Sequence, residues 1–299
     1  MDLKKAVDLF LNNQKLSTRE SYQYELFAMR DFLGPARLCE EIKPALLIEY
    51  VQSFNQKKWA EATKQKHIKT IKTFFNWLVR IEVIVSSPAK AVKGKKLPTY
   101  VSRDKAITDQ ELEILLDYCR WDPRKTALLL FLADTGARIG GCAGLKWEHL
   151  NLATMRGIVT EKGDKSRPVW FGEKCRNALI KWQFVQEAKR GYVFSVSGEP
   201  IKADNLSQIV RRLCQAVGIR VISAHAFRHR KGHQLADDRV AVTIAATALG
   251  HSDPIITMHH YYPADYESAE AAIRALSLEK IPEAPEIPTN IIPMKKRSG

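Results

Sequence analysis

Only one segment of this 299-residue chain carries a clear β signal. Ile158-Val159-Thr160 and Pro168-Val169-Trp170-Phe171 flank the turn residues Gly163-Asp164, which is the pattern of a hairpin. Elsewhere apolar residues recur at helical spacing. The fold class this predicts is mainly α with a small β-hairpin or sheet. The length leaves room for two domains, each with its own core.

Residues up to about 85 read as an all-helical unit. Ser17-Thr18-Arg19-Glu20 offers a hydroxyl cap with Glu20 placed to reciprocate, and Tyr24, Phe27 and Phe32 follow as apolar anchors before Gly34-Pro35. Pro44 opens a second helix bearing Leu46, Leu47, Tyr50, Val51 and Phe54. A third runs from about Glu61 to Arg80, with Ile68, Ile71, Phe75 and Leu78 on one face. At about 100° per residue, Lys66, Lys69 and Arg80 fall on the opposite side, with Gln65 and Lys72 beside them. One face to bury and one basic face suit a helix laid along DNA, although an ordinary solvated helix back has the same pattern.

The stretch Lys90 to Asp104 is basic, carries Gly94 and Pro98 and shows no period, as a linker does. Beyond it, Ile107-Thr108-Asp109-Gln110-Glu111 caps a helix with Leu112, Leu115 and Leu116 on one face. A second helix runs from Pro123 to Ala133, and helices resume after the hairpin through Leu278. Ile281-Pro282 to Ile292-Pro293 alternates proline with apolar residues and ends in Lys295-Lys296-Arg297, the composition of a flexible tail. The expected division is a helical domain over 1–86, a linker over 87–104, a second domain over 105–278 and a basic Pro-rich tail over 279–299.

The charge narrows the partner. With 47 Lys and Arg against 33 Asp and Glu the net charge is +14, which suits a polyanion whose condensed counterions are released on binding. No apolar run reaches the roughly 18 residues of a membrane span, and Met1-Asp2-Leu3-Lys4-Lys5 opens no secretory signal. Cys39, Cys119, Cys142, Cys175 and Cys214 are odd in number and form no Cys-x-x-Cys, against a disulfide framework or a zinc ribbon. A reducing cytoplasm is the expected setting, with nucleic acid preferred to membrane as the partner.

The stretch His225 to Tyr262 holds the chemistry. It reads His225-Ala226-Phe227-Arg228-His229, then Leu249-Gly250-His251, then His260-Tyr261-Tyr262; Arg138 in Thr135-Gly136-Ala137-Arg138 and Lys162 in Glu161-Lys162-Gly163 lie upstream. A phosphodiester under attack gains charge on its equatorial oxygens, which side-chain cations can stabilise without a metal or other cofactor. Arginine suits the role because its fork grips two oxygens and keeps its proton. His225 and Arg228, three apart on a helix, share a side. His225, His229 and His233 also have zinc-ligand spacing, but Arg228, Arg230 and Lys231 crowd that turn and no His-Glu-x-x-His is present, so no metal site is expected.

At these residues the sequence resembles the tyrosine recombinases, or phage-integrase family, whose pattern is an arginine after Thr-Gly, a lysine in a hairpin, His-x-x-Arg, Gly-His, and a tyrosine nine or ten residues on. Phe74-Phe75-Asn76-Trp77-Leu78 and Ser87-Pro88-Ala89 extend the resemblance into the amino-terminal half. It implies a helical core-binding domain followed by a mixed α/β catalytic domain, and together with the charge excess it favours the DNA reading of the basic face of Lys66, Lys69, Lys72 and Arg80. It also implies site-specific recombination through a 3′-phosphotyrosine. Arg138, Arg228 and His251 would hold the phosphate, Lys162 would protonate the leaving 5′ oxygen, and His225 would assist proton transfer at the tyrosine. Lys162 is preferred to Lys165. Tyr261, ten residues from His251, is preferred as nucleophile, with Tyr262 a competitor and Tyr266 a distant one. Double-stranded DNA is the implied partner, bound in the nucleoid by a homotetramer with accessory DNA-bending proteins, and a helix over 264–278 could dock on a neighbour. One departure stands out: where the family carries Glu or Asp, three residues after the first arginine, this chain has Gly141. That leaves two other readings open, a DNA-binding relative with weakened or lost catalysis and a topoisomerase-like nicking and resealing enzyme.

Overall fold

The computed structural model describes residues 1–95, 100–161, 163–187, 190–262 and Ile273. Lys162, Tyr266, the helix expected over 264–278 and the tail lie outside the described residues. The chain divides into two compact units, Met1–Pro98 and Thr99–Gly299. The division falls inside the expected linker, but both flanks of that linker are packed. Pro88–Ala91 forms a 3-10 turn, and Ala89 and Val92 are buried in the core of the first unit. Val101 is buried in the second.

The first unit consists of α1 (Leu3–Asn12), α2 (Leu16–Leu33), α3 (Pro44–Gln52) and α4 (Glu61–Arg80). Pro44 starts α3 as expected, and α4 buries Ile68, Ile71, Phe74, Phe75 and Leu78. Phe10 of α1 packs edge-on against Phe74 and Trp77, tying the first helix to the last. Helix α2 differs from the expected one in its cap and in its buried face. The helix starts at Leu16 with Lys15 at the cap position, so Ser17 lies within its first turn. Its core face is Leu26, Met29 and Leu33, whereas Tyr24 and Phe32 are 64% and 45% exposed. Large aromatics tolerate half-exposure because their area is hard to bury completely.

The second unit opens with α5 (Asp109–Tyr118), where Thr108 accepts from the Glu111 backbone N–H at 3.1 Å and Glu111 accepts from that of Thr108 at 2.8 Å. This is the expected reciprocal cap. Next come α6 (Pro123–Thr135), α7 (Ile139–Ala143) and an antiparallel sheet in the order β1 (Leu150–Asn151), β2 (Arg156–Glu161), β3 (Lys165–Trp170). Ile158 pairs with Pro168 and Glu161 with Lys165, while Gly163 and Asp164 turn the hairpin with positive φ. Among the described residues five longer helices follow: α8 (Glu173–Gln186), α9 (Ala203–Ala216), α10 (His225–Asp237), α11 (Val242–Leu249) and α12 (Pro254–Tyr261). One face of the hairpin carries Val159 and Val169 into a core with Phe131, Trp182, Phe194 and Phe227. No helix among the described residues is long and apolar enough to cross a membrane.

Candidate active site

Helix ends aim the candidate side chains. Helix α6 stops at Gly136, whose φ of +56° lets the chain reverse, and two residues later Arg138 stands at the N-cap position of α7. The Gly136 carbonyl accepts a 3.0 Å hydrogen bond from Arg228 Nη1. Arg228 is only 3% exposed, and its other terminal nitrogen has no hydrogen-bond partner among the described residues. A buried donor without a partner is costly unless a ligand takes it. Burial, and then the nearby Arg138, lowers the Arg228 guanidinium to about 10, so it stays charged at neutral pH.

Helix α11 ends in a second glycine turn. Gly250 has φ +70°, its N–H reaches the Thr247 carbonyl at 3.1 Å, and that of His251 reaches Ala246 at 2.9 Å. A Cβ at Gly250 would also lie 2.2 Å from Arg167 Cδ. Glycine is therefore needed here twice, for the backbone conformation and for the arginine that crosses it. His251 leaves this turn with Nδ1 held by the Thr257 hydroxyl at 2.6 Å, which reserves Nε2 for a ligand. Burial, then the charges of Arg228 and Arg138, push the His251 ring down to about 4. Partial burial and the same two arginines also lower His225. Both rings are neutral at pH 7 and can each carry one donor.

A cleft of about 630 Å³ gathers Arg138, His225 and His251 with Lys165 and two groups the sequence reading missed, Glu161 and Arg167. Glu161 accepts from the Arg138 backbone N–H at 3.0 Å and pairs with its guanidinium. It also faces Arg167 Nη2 at 3.4 Å, and Arg167 Nη1 donates to the Ala248 carbonyl at 2.7 Å. Burial alone would raise the Glu161 carboxyl. The Arg138 N–H and the charges of Arg167, Arg138 and Arg228 outweigh it and hold the group below the usual carboxylate range. Both residues left a signal in the sequence: at a period of two they share the inward face of the hairpin with Val159 and Val169, where a charge is out of place.

Tyr261 is not among the residues that line this cleft and packs instead on α10. It is 2% exposed, and its hydroxyl sits 3.0 Å from His229 Nδ1. The ring lies flat on α10 at Gly232, where a Cβ would come within 2.6 Å of it. Burial raises the phenol, against the opposing charges of Arg228 and Arg138. The Tyr262 hydroxyl instead donates to the Val240 carbonyl at 2.6 Å, with that of Leu235 at 3.2 Å. His225, His229 and His233 do line one side of α10, but His229 is turned to the phenol. Among the described residues no group of three His, Cys, Asp or Glu is arranged to hold a metal ion.

The basic set on α4 divides. Lys66 is tied to the buried Glu25 of α2 at 2.6 Å. Lys69 and Arg80 are exposed and Lys72 half-buried, and these three make no ion pair among the described residues.

The chain matches the Phage integrase family over residues 105–268 and the Phage integrase N-terminal SAM-like domain over 8–82. It is similar to tyrosine recombinase XerD of Chlorobaculum tepidum, 27% identical over 282 residues covering 85% of this chain and 90% of that one. Tyrosine recombinase XerC of Halalkalibacterium halodurans is 25% identical over 263 residues, covering 81% and 85%. The fold of this chain is similar to that of the Tn1549 transposon integrase solved with transposon right end DNA, with a TM-score of 0.74, 17% identity and coverage of 92% and 99%. With two family domains matched in order over most of its length, the chain belongs to the phage integrase family of tyrosine recombinases.

Proposed function

We propose that this protein is a site-specific DNA recombinase that cuts and rejoins duplex DNA through Tyr261. The observation that carries the reading is the grouping of Arg138, Arg167 and the neutral rings of His225 and His251 around one cleft, with the buried Arg228 charge acting on both rings and on the Tyr261 phenol that His229 holds. Three guanidiniums against the single carboxylate of Glu161 leave a net positive site for a phosphodiester, and the unpartnered Arg228 nitrogen and His251 Nε2 are donors for its oxygens. The phenol oxygen attacks phosphorus and the bond to the 5′ oxygen breaks. The products are a 3′-phosphotyrosine and a 5′ hydroxyl, which takes a proton from Lys162 as the proposed acid. The phosphotyrosine keeps the energy of the broken linkage, so a second 5′ hydroxyl reseals the strand with no external energy source. His229 rather than His225 is the ring in contact with the phenol, and that contact supports it as the group that takes the proton.

Its partner is double-stranded DNA in the nucleoid, held by Lys69, Lys72 and Arg80 of the first unit. A homotetramer with DNA-bending helpers performs the exchange. The experiment is capture of a covalent adduct on duplexes nicked beside the cleavage position, drawn from a randomised pool, with mass spectrometry of the DNA-linked peptide. Tyr261 should carry the nucleotide, Tyr261→Phe should lose the adduct and Tyr262→Phe should keep it. A nucleotide on Tyr262 would overturn the assignment. DNA binding with no adduct from the unmodified chain would favour a binding protein over an enzyme.

A further inference from the structure

We infer that Glu161 is the positioning carboxylate of this active site, supplied from β2 into the space left by Gly141 on α7. The inference rests on the recombinase reading above. Its starting point is the missing acidic side chain three residues after Arg138. A Cβ added at Gly141 would lie 3.3 Å from Glu161 Cγ and 3.5 Å from Val159 Cβ. The Glu161 chain lies close against the position from which a residue 141 side chain would start and would have to give by a few tenths of an ångström to admit it. The glycine and the glutamate are therefore one arrangement: each is accommodated because of the other.

The contacts of Glu161 show what it positions. One carboxylate receives both the backbone N–H and the guanidinium of Arg138, so the residue is held at each end of its side chain. Its Oε1 also faces Arg167 Nη2, and the other terminal nitrogen of that guanidinium donates to the Ala248 carbonyl near the end of α11, three residues before His251. The carboxylate is 4% exposed and the Arg138 side chain 34%. The buried partner thus fixes an arginine that would otherwise swing toward water, away from Arg167 and Arg228. An arginine fork has five N–H donors, so engaging one terminal nitrogen leaves others for a phosphate. Glu161 touches no reacting atom in this arrangement; it acts through Arg138.

A carboxylate in this role can be returned to α7. Glu161→Gly removes it, and Gly141→Glu alone crowds a second carboxylate against the first. Each single variant should form the phosphotyrosine adduct about tenfold to a hundredfold more slowly, the loss expected when a catalytic group is displaced by about an ångström. The double variant Gly141→Glu/Glu161→Gly should recover most of the rate. Two damaging changes that repair each other are the sign of direct coupling. The readout is the single-turnover rate of adduct formation by the full chain on a nicked duplex captured by the unmodified protein. A gel-shift titration on the same duplex should show unchanged affinity.

Glu161→Gln covers the case in which Glu161→Gly does not fold. It keeps the shape and loses the charge, and it should slow the adduct while the folded protein binds the same duplex with parental affinity. Unchanged rates in Glu161→Gly or Glu161→Gln would overturn the inference, as would a double variant no better than its parents or a loss of affinity matching the loss of rate. Failure of the unmodified chain to form any adduct would instead overturn the recombinase reading, and this inference with it.

Discussion

His229 is singled out by a contact rather than by any motif. Its Nδ1 lies 3.0 Å from the Tyr261 hydroxyl, while the Tyr262 hydroxyl is engaged by backbone carbonyls. Burial, followed by the neighbouring His225 and His233, lowers His229 to about 4, so at neutral pH the ring has a free lone pair. A neutral imidazole in contact with a phenol can orient it and accept its proton. His229→Phe keeps the aromatic packing and removes both functions. It should slow adduct formation by about a hundredfold with DNA affinity intact, the usual scale for a general base. Adduct formation at the parental rate would return proton transfer to His225. The sequence placed His229 in a zinc-like row because spacing along a helix reports only which residues share a face, and the phenol came from another helix.

At the scale of elements, α4 shows how a basic face can be two things. Lys66 holds Glu25, whose side chain is 3% exposed, whereas Lys69 and Arg80 point to solvent without ion pairs among the described residues. Lys69→Ala with Arg80→Ala should weaken DNA binding about equally for all sequences and flatten its salt dependence by roughly one unit of slope per lost phosphate contact. Lys66→Ala should instead lower the thermal stability of the first unit by about 1–2 kcal/mol. That is less than for a fully buried pair because the lysine is half exposed. Salt titrations and melting curves for the two variants check the division; a stable Lys66→Ala protein with weakened binding would reverse it. The face of α4 was legible because four apolar residues repeat at helical spacing, and the cap of α5 because a hydroxyl and a glutamate three apart leave few alternatives. Helix α2 was misread because its largest apolar side chains, Tyr24 and Phe32, are not its most buried ones. Glu161 and Arg167 were missed because the hairpin was read for its apolar residues alone. The charges alternating with them on the same face were the message.

Across the whole molecule, the +14 charge and the histidines respond to acid together. Six of the eight histidines (His67, His225, His229, His233, His251 and His260) are lowered, burial being the largest cause for each. A ring kept neutral in the fold binds its proton more readily when unfolded, where its pKa is about 6.5. Stability from this source is complete above about pH 6.5 and is lost as pH falls from there toward the folded values, about 4 for His229 and His251. His67 gives the cleanest test, because it belongs to the first unit and the candidate site residues belong to the second. It is fully buried, stacked on Trp59 at 4.4 Å, and neither ring nitrogen has a hydrogen-bond partner among the described residues. The charged groups acting on it are Glu25, which favours its proton, and Lys57 and Lys66, which oppose it; burial exceeds all three. His67→Phe keeps the ring, loses no hydrogen bond and removes the titration. The variant should be at least as stable as its parent at pH 7.5, since an apolar ring of similar shape leaves no polar atom unsatisfied. Its advantage should widen as pH drops below about 6.5. Hydrogen exchange of α4 peptides at several pH values, read by mass spectrometry, separates this unit from the second. An advantage that shrinks on acidification would mean that protonated His67 gains Glu25 as a partner, and that charge pairing rather than burial governs the ring.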